Sequence, residues 1–365
     1  MTEKSPLVTV LMPVYNGEKY LNEAIDSILN QSYENLEFLI INDGSTDKTE
    51  EIILAYKDER IKYFKNEKNL RLIASLNKGL DLAKGKYIAR MDADDIALPL
   101  RLEKQIAFME QHENVGLLGT YYSLFKEQNN DMTPVKMPFT HHEGLKFRLL
   151  FSSSIRHPTA VIRTATLRDN SIYFNKDFLH AEEHQFWLEI IKYAQVAVYP
   201  EILLNFRLHQ ESVTENDAAK KIQAKTETQI RMEQINALGV SVSQENELLL
   251  CQFLEYFRYT RNPFLERTTY FSKIEMNQLY ELVIQIILEN RKKVYWDTFI
   301  LEKMFVGKLS DILLTHTHLG LFTFFFLAKL SRFQNIPRKV MVNNFIKSLL
   351  FIKRPVQSYS FNNYL

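Results

Sequence analysis

Three aspartates close together offer the clearest chemistry in this 365-residue chain: Asp92, Asp94 and Asp95, in the run Tyr87-Ile-Ala-Arg-Met-Asp92-Ala93-Asp94-Asp95. The run reads as a short buried strand that ends in carboxylates. Side chains at i and i+2 leaving a strand point to the same side of the chain, so Asp92 and Asp94 converge. Two hard oxygen ligands can hold Mg²⁺ or Mn²⁺ and leave coordination positions open for phosphate oxygens and water. The simpler alternative is that these residues turn the chain and cap the next helix, a common role for Asp. Other strand ends carry further candidates: Tyr15 and Asn16, then Asp43, then Asn69 and Arg71. An aromatic ring to lie on a base, an Asp to accept a base N–H and an Arg near phosphates would suit a nucleoside diphosphate.

These residues need a scaffold that brings strand ends together. Leu7 to Val14 reads as a strand broken by Pro13 and by Asn16-Gly17, and Lys19 to Asn30 has helical apolar spacing. Leu36 to Ile41 is a second strand, ending in Asn42-Asp-Gly-Ser-Thr-Asp47, which leads into a helix from Lys48 to Tyr56. A third strand at 61–64, a third helix at 72–83 and the Asp-rich strand follow. This alternation predicts a doubly wound, mostly parallel α/β sheet, in which ligands bind outside the carboxyl ends of the strands. Farther on, a helix is expected over 101–111, and extended segments at 115–125, 152–162 and 196–206 surround a helix over 182–194. Beyond Asn216 the pattern turns helical. The expected organisation is therefore residues 1–215, with a nucleotide half to about 98 and an acceptor half to 215, then an α-helical region over 216–365.

Composition narrows the class. Hydrophobic residues make up 46% and charged residues 24%, ordinary for a globular protein. No secretory signal is read at Met1, and the longest apolar run, Leu319 to Leu330, is too short to span a bilayer. The single cysteine, Cys251, excludes an internal disulfide framework and reads as a small buried hydrophobe. A cytoplasmic location follows as the expectation. The net charge of +1 conceals a split. After Asp311 there are seven basic residues and no acidic one, and Pro337 to Arg354 places apolar residues on one helical face beside Lys339 and Lys347. That pattern suits the anionic surface of a membrane, with packing on the catalytic domain as the alternative. No nucleic-acid partner is expected. A nicotinamide site would need Gly-x-Gly-x-x-Gly after the first strand, and a phosphate loop would need Ser or Thr after its Lys; neither motif occurs.

In its ordered motifs the chain resembles the family-2 inverting glycosyltransferases of GT-A fold, of the bacterial cell-surface polysaccharide type. The matching pieces are Pro13-Val-Tyr-Asn16, Asn42 to Asp47, Asn69 through Leu80, Asp92-Ala93-Asp94-Asp95, His157-Pro-Thr159, Ala181-Glu-Glu-His-Gln-Phe-Trp187 and Phe206 to Val213. The resemblance covers about residues 5–215. It implies donor contacts at Pro13, Tyr15, Asn16, Asp43, Asn69, Arg71, Asp92 and Ala93, and a divalent metal (Mn²⁺ or Mg²⁺) on Asp92 and Asp94, with His209 as a further metal or diphosphate contact and a satisfied loop histidine as the alternative. It also implies a base carboxylate at the start of the helix opening at Glu182, with Glu183 favoured over Glu182. Two departures stand out: Glu182-Glu183 replaces the usual Glu-Asp, and Arg71 stands where many members have Gly. Processive signatures and membrane spans are missing, so transfer of one sugar per encounter, from a UDP-sugar or related donor to a glycan or lipid-linked acceptor, is the expected activity. Trp187 and His157 are candidate acceptor contacts, with a core position favoured for Trp187 over a sugar platform. A catalytically silent sugar-nucleotide-binding or scaffolding protein on the same fold is the alternative function.

Overall fold

The structure, a computed structural model, describes residues 5–126, 131–209, 217–258 and 271–315. The basic tail and the Leu319–Leu330 run, on which the membrane-surface expectation rests, lie outside the described residues. Two compact units divide at Glu227/Thr228, inside helix α8 (Asp217–Ala237). The boundary expected at 215/216 lies just ahead of this helix.

The first unit is built on β1 (Val8–Val14), all of whose residues are buried. Its run of apolar residues is what a strand covered on both faces requires. β2 (Leu36–Asn42) and β4 (Tyr87–Arg90) flank it in parallel, with Val8 opposite both Leu36 and Tyr87, and β3 (Ile61–Lys65) adds to the outer edge of β2. Three helices make the crossovers: α1 (Leu21–Leu29), α2 (Thr49–Ala55) and α3 (Leu72–Leu82). α3 lies so close to β1 that a Cβ on Gly79 would stand 2.1 Å from Leu11 Cδ1. Glycine is required there by packing rather than by backbone conformation.

Beyond β4 the sheet continues with mixed polarity, in the order β3-β2-β1-β4-β8-β6-β9-β5, with β7 paired to β6. Here β5 is Ile96–Ala97, β6 Val115–Lys126, β7 Asp131–Val135, β8 Val161–Arg163 and β9 Gln195–Leu208. β8 runs antiparallel to β4 and β6, whereas β6 and β9 are parallel. Helix α4 (Arg101–Gln111), whose bounds coincide with the sequence expectation, buries Leu102, Ile106 and Met109 in the core shared by β1, β2 and β4.

The strand expected over 152–162 is reduced to β8. The helix α5 (His142–Arg148) continues into turns, with Ser152 N–H donating to Arg148 O at 3.2 Å, and a 3₁₀ turn occupies His157–Thr159. Pro158, which has no N–H to give to a ladder, sits in that turn. Neither α5 nor α6 (Thr164–Asp169) was foreseen, and α7 (Glu182–Ile190) stops four residues before the expected Ala194.

In the second unit, α9 (Gln244–Arg258), α10 (Lys273–Lys293) and α11 (Thr298–Thr315) bury Phe253, Ile286, Ile287, Trp296 and Phe305. α10 opens with a capping box between Ser272 and Glu275. Cys251 is buried and free, as expected of a small hydrophobe. Among the described residues, no helix is long and apolar enough to cross a membrane.

Candidate active site

The parallel strands β1, β2, β3 and β4 end at one edge of the sheet, and the loops that follow interlock there. Asn16 takes a positive φ of 50°, its N–H donates to Ser45 Oγ at 3.0 Å, and its Oδ1 accepts from Thr46 N–H at 2.9 Å. Asp47 binds the N–H groups of Glu18 and Thr49, both at 3.0 Å. These bonds leave the Tyr15 ring 48% exposed at the rim, with Pro13 buried behind it. Asp43 is 3% exposed, and its Oδ1 accepts from Asn66 Nδ2 at 2.8 Å and from Leu70 N–H at 2.9 Å. Gly44 follows with φ +71°, and a Cβ there would lie 2.5 Å from the Lys68 carbonyl carbon. Only glycine meets both conditions.

Asn69 accepts from Arg71 N–H at 2.8 Å, and Arg71 itself has φ 73° and ψ 162°, a conformation that is costly for any residue but glycine. Burial and the Arg71 charge together hold the His180 imidazole below its usual range, so Arg71 faces the loop that enters α7.

At the end of β4, one oxygen from each of Asp92, Asp94 and Asp95 lies within 4.8 Å of the others. Arg90 Nη2 bonds Asp92 Oδ1 at 2.5 Å, while Arg90 Nη1 donates to Met91 O. Asp94 Oδ2 lies 2.8 Å from His209 Nε2, whose ring packs tilted against Tyr20 with the centroids 5.0 Å apart. Asp95 Oδ1 accepts the Arg207 N–H at 2.8 Å, and its Oδ2 is buried with no partner. Burial pushes the Asp92 carboxyl above the usual carboxylate range against the pull of Arg90, with Asp94 adding to the rise. Burial, then the charges of Asp92 and Asp94, raise Asp95 well above it. Three clustered carboxylates, one of them holding an unpartnered buried oxygen, form a set of hard oxygen donors that fits a divalent cation.

Facing this cluster is the first turn of α7. Glu182 is buried and its Oε2 has no partner, and burial raises its carboxyl. For Glu183, burial and the neighbouring Glu182 charge push the carboxyl up to about 8, with Arg156 pulling the other way. A carboxyl poised there suits proton transfer near neutral pH.

The structure thus brings Pro13, Tyr15, Asn16, Asp43, Asn69, Arg71, Asp92, Ala93, Asp94 and His209 to one edge. Glu182 and Glu183 lie within electrostatic reach of that cluster through Arg90, Asp92 and Arg156. Two acceptor candidates need correcting. The Trp187 ring is 0% exposed and its Nε1 donates to Ile155 O at 3.1 Å, so it is a core residue with no face for a sugar. His157 is buried against Trp187 and Phe174, and burial followed by the Arg90 charge holds it well below its usual range, as a neutral core imidazole.

Four arginines were missed: Arg90, Arg101, Arg156 and Arg207. Arg90 left a trace in the sequence, since positions 90, 92 and 94 alternate on one side of the chain, and Arg207 stands within the motif from Phe206 to Val213. Arg101 is fully buried, with Nη2 donating to Arg90 O at 2.8 Å, and burial brings its guanidinium down to about 9. Arg207 is 2% exposed, bonds Glu23 at 2.9 Å and lies over the Tyr20 ring at 4.4 Å.

A half-parallel, half-mixed sheet with an aspartate cluster at its switch edge is the architecture of a GT-A glycosyltransferase. Residues 9–171 match the family model described as "Glycosyl transferase family 2". An uncharacterized glycosyltransferase of Haemophilus influenzae is 37% identical over 268 residues, which cover 68% of this chain and 81% of that protein. Another from Methanocaldococcus jannaschii is 36% identical over 208 residues, covering 56% and 71%. The crystal structure of S. aureus TarS 1-349 in complex with UDP-GlcNAc superposes with a TM-score of 0.55 at 20% identity, covering 93% of this chain and 90% of that one, a likeness of fold. The chain belongs to glycosyltransferase family 2 and is an enzyme of that class.

Proposed function

We propose that this enzyme transfers one sugar, with inversion, from a UDP-sugar to a glycan or lipid-linked acceptor in the synthesis of cell-surface polysaccharide or lipopolysaccharide. The observation that carries the reading is the Asp92–Asp94–Asp95 cluster at the end of β4, with Glu183 held at a raised proton affinity on α7. TarS, a protein of the same fold, has been crystallised with UDP-GlcNAc, which supports a uridine donor.

Asp92 and Asp94 would hold Mn²⁺ or Mg²⁺, with Asp95 and His209 beside them. Bound there, the ion supplies positive charge to the departing diphosphate. Tyr15, exposed at the rim, would lie on the base, and the Asp43 loop would edge it. Arg71 brings a guanidinium toward the diphosphate. Glu183 takes the proton of the acceptor hydroxyl as its oxygen bonds the anomeric carbon. The bond from that carbon to the diphosphate oxygen breaks, and its electron pair leaves with the nucleoside diphosphate. General-base help of this kind is worth about 10²–10⁴-fold.

The test is a thermal-shift and turnover screen of UDP-, GDP- and dTDP-sugars with and without Mn²⁺. A metal-dependent response to a UDP-sugar is the expected result; equal donor affinity with and without metal defeats the reading. The basic tail adds a proposal of its own, peripheral binding on the cytoplasmic face of the membrane. Co-sedimentation with anionic liposomes at low salt, lost in a chain ending near Asn335, is expected, and failure of the full chain to co-sediment rejects it.

A further inference from the structure

Arg156 stands just ahead of the 3₁₀ turn, and its neighbours on both sides are tied to α7. The Ile155 carbonyl accepts from Trp187 Nε1, and the His157 ring packs 5.8 Å from the Trp187 ring. Trp187 follows Glu183 by four residues, on the same face of the helix. The backbone therefore carries Arg156 alongside the carboxylate assigned as base. Its side chain reaches toward β9, where the guanidinium carbon lies 4.6 Å from the Phe206 ring centroid and 5.4 Å from that of Tyr122. Nη2 donates to Tyr122 OH at 3.4 Å. Phe206 in turn precedes Arg207, which binds Asp95. Two rings thus hold a cation between the base helix and the aspartate cluster, by the attraction of a guanidinium for aromatic faces.

Arg90 and Arg207 each bond a carboxylate directly, whereas Arg156 makes no ion pair within 4.0 Å among the described residues. Its charge is left to act on the site as a whole. Burial alone would lower its proton affinity, yet Tyr122, Glu183 and Asp95 raise it. The charged groups that act most strongly on Glu183 are Glu182 of its own helix, Arg156, and Glu227 of α8. Two of the three are acids, and Arg156 is the cation.

We propose that Arg156 is a positioning residue for the transfer: a ring-held cation set beside the base Glu183, which favours its ionised form for the acceptor hydroxyl against two acidic neighbours. The inference rests on Glu183 being the base. The rings explain why a cation can sit there without being consumed by a salt bridge, which would pull Glu183 away from the acceptor or occupy its oxygens.

The experiment is the pH profile of kcat/KM for the wild type and for Arg156→Gln, Arg156→Met and Arg156→Lys, each first checked for metal-dependent donor binding. Arg156→Met fills the gap between the rings, so that loss of charge is separated from loss of packing. In the two neutral variants the acid limb moves up by about one pH unit, a tenfold loss on its acid side that vanishes at the alkaline plateau. Arg156→Lys keeps the wild-type limb, and donor affinity is unchanged throughout. An unmoved limb, a uniform loss at every pH, or a lysine variant no better than the neutral ones overturns the inference. Full loss in Glu183→Gln with an unmoved Arg156→Gln limb removes this inference alone, whereas an active Glu183→Gln removes the base assignment and this inference with it.

Discussion

His209 Nε2 lies 2.8 Å from Asp94 Oδ2, which ties the exit of β9 to the end of β4 across 115 positions of sequence. The contact leaves Asp94 oriented by an imidazole that packs against Tyr20. If a divalent ion binds Asp92 and Asp94, His209 either joins it or fixes the ligand behind it. Asp92→Asn and Asp94→Asn should each abolish Mn²⁺-dependent donor binding without loss of folding. His209→Ala should raise the Mn²⁺ needed for half-activation by about 10–100-fold, the scale of a lost supporting contact. Manganese titrations of turnover check all three, and an unchanged Mn²⁺ requirement in His209→Ala assigns the histidine to the scaffold alone.

Glu183→Gln should lower kcat by about two to four decades while donor affinity stays nearly constant. If Glu182→Gln does this in its place, the base is the other member of the pair.

The wild-type kcat/KM should rise with pH through about 8, because a base must be deprotonated and burial with Glu182 holds Glu183 protonated to that value. Removing the Glu182 charge weakens that hold, so the limb in Glu182→Gln moves toward acid. A limb that stays in place in this variant belongs to some other group.

The same residue burdens the fold. An unfolded Glu titrates near 4.3, so the folded chain keeps its proton to higher pH than the unfolded chain does. The group's contribution to stability is complete below about 4.3 and is lost as pH rises through about 8. Glu183→Gln should therefore raise Tm at pH 8, by about 2–4 °C for each kcal/mol relieved, and leave it unchanged near pH 4. Melting curves at the two pH values decide the matter.

Gly44→Ala places a Cβ against the Lys68–Asn69 backbone at a left-handed φ. A loss of about 1–3 kcal/mol and weaker donor binding are expected, because Asp43 is aligned by the same turn. Chemical denaturation and donor titration of the variant check this.

The first half of the sheet was legible because each strand and helix there carries its own local period. β1 to β4 and the three crossover helices follow from apolar spacing alone, and the Asp92–Asp94 convergence follows from the two-residue period of a strand. What stayed hidden was non-local. Arg101 has nothing around it in the chain to separate it from a solvated arginine, and the motifs beside Arg156 and around Arg207 do not tell what those side chains meet, since the partners Arg90, Phe206 and Asp95 lie elsewhere in the chain. Trp187 and His157 sit in recognisable motifs, but a motif does not tell which way a ring faces, and both turned into the core. The apolar residues of 152–162 read as one strand, but Pro158 has no N–H for a ladder and lies in a 3₁₀ turn, which leaves only the last residues of the stretch to β8.

The parallel pairing of β6 with β9 sets Val115 against Gln195 and Lys126 against Leu208, so about eighty residues must be looped out before the pair can zip. Parallel closures of that span are slow, because the entropy of the loop is lost before any contact compensates for it. β9 delivers Arg207 to Asp95 and leads to His209, so Asp94 and Asp95 acquire these partners only at this late step. In refolding, secondary structure should return before the capacity to bind donor and metal. A stopped-flow trace in which donor binding recovers as fast as the earliest change in ellipticity would contradict that order.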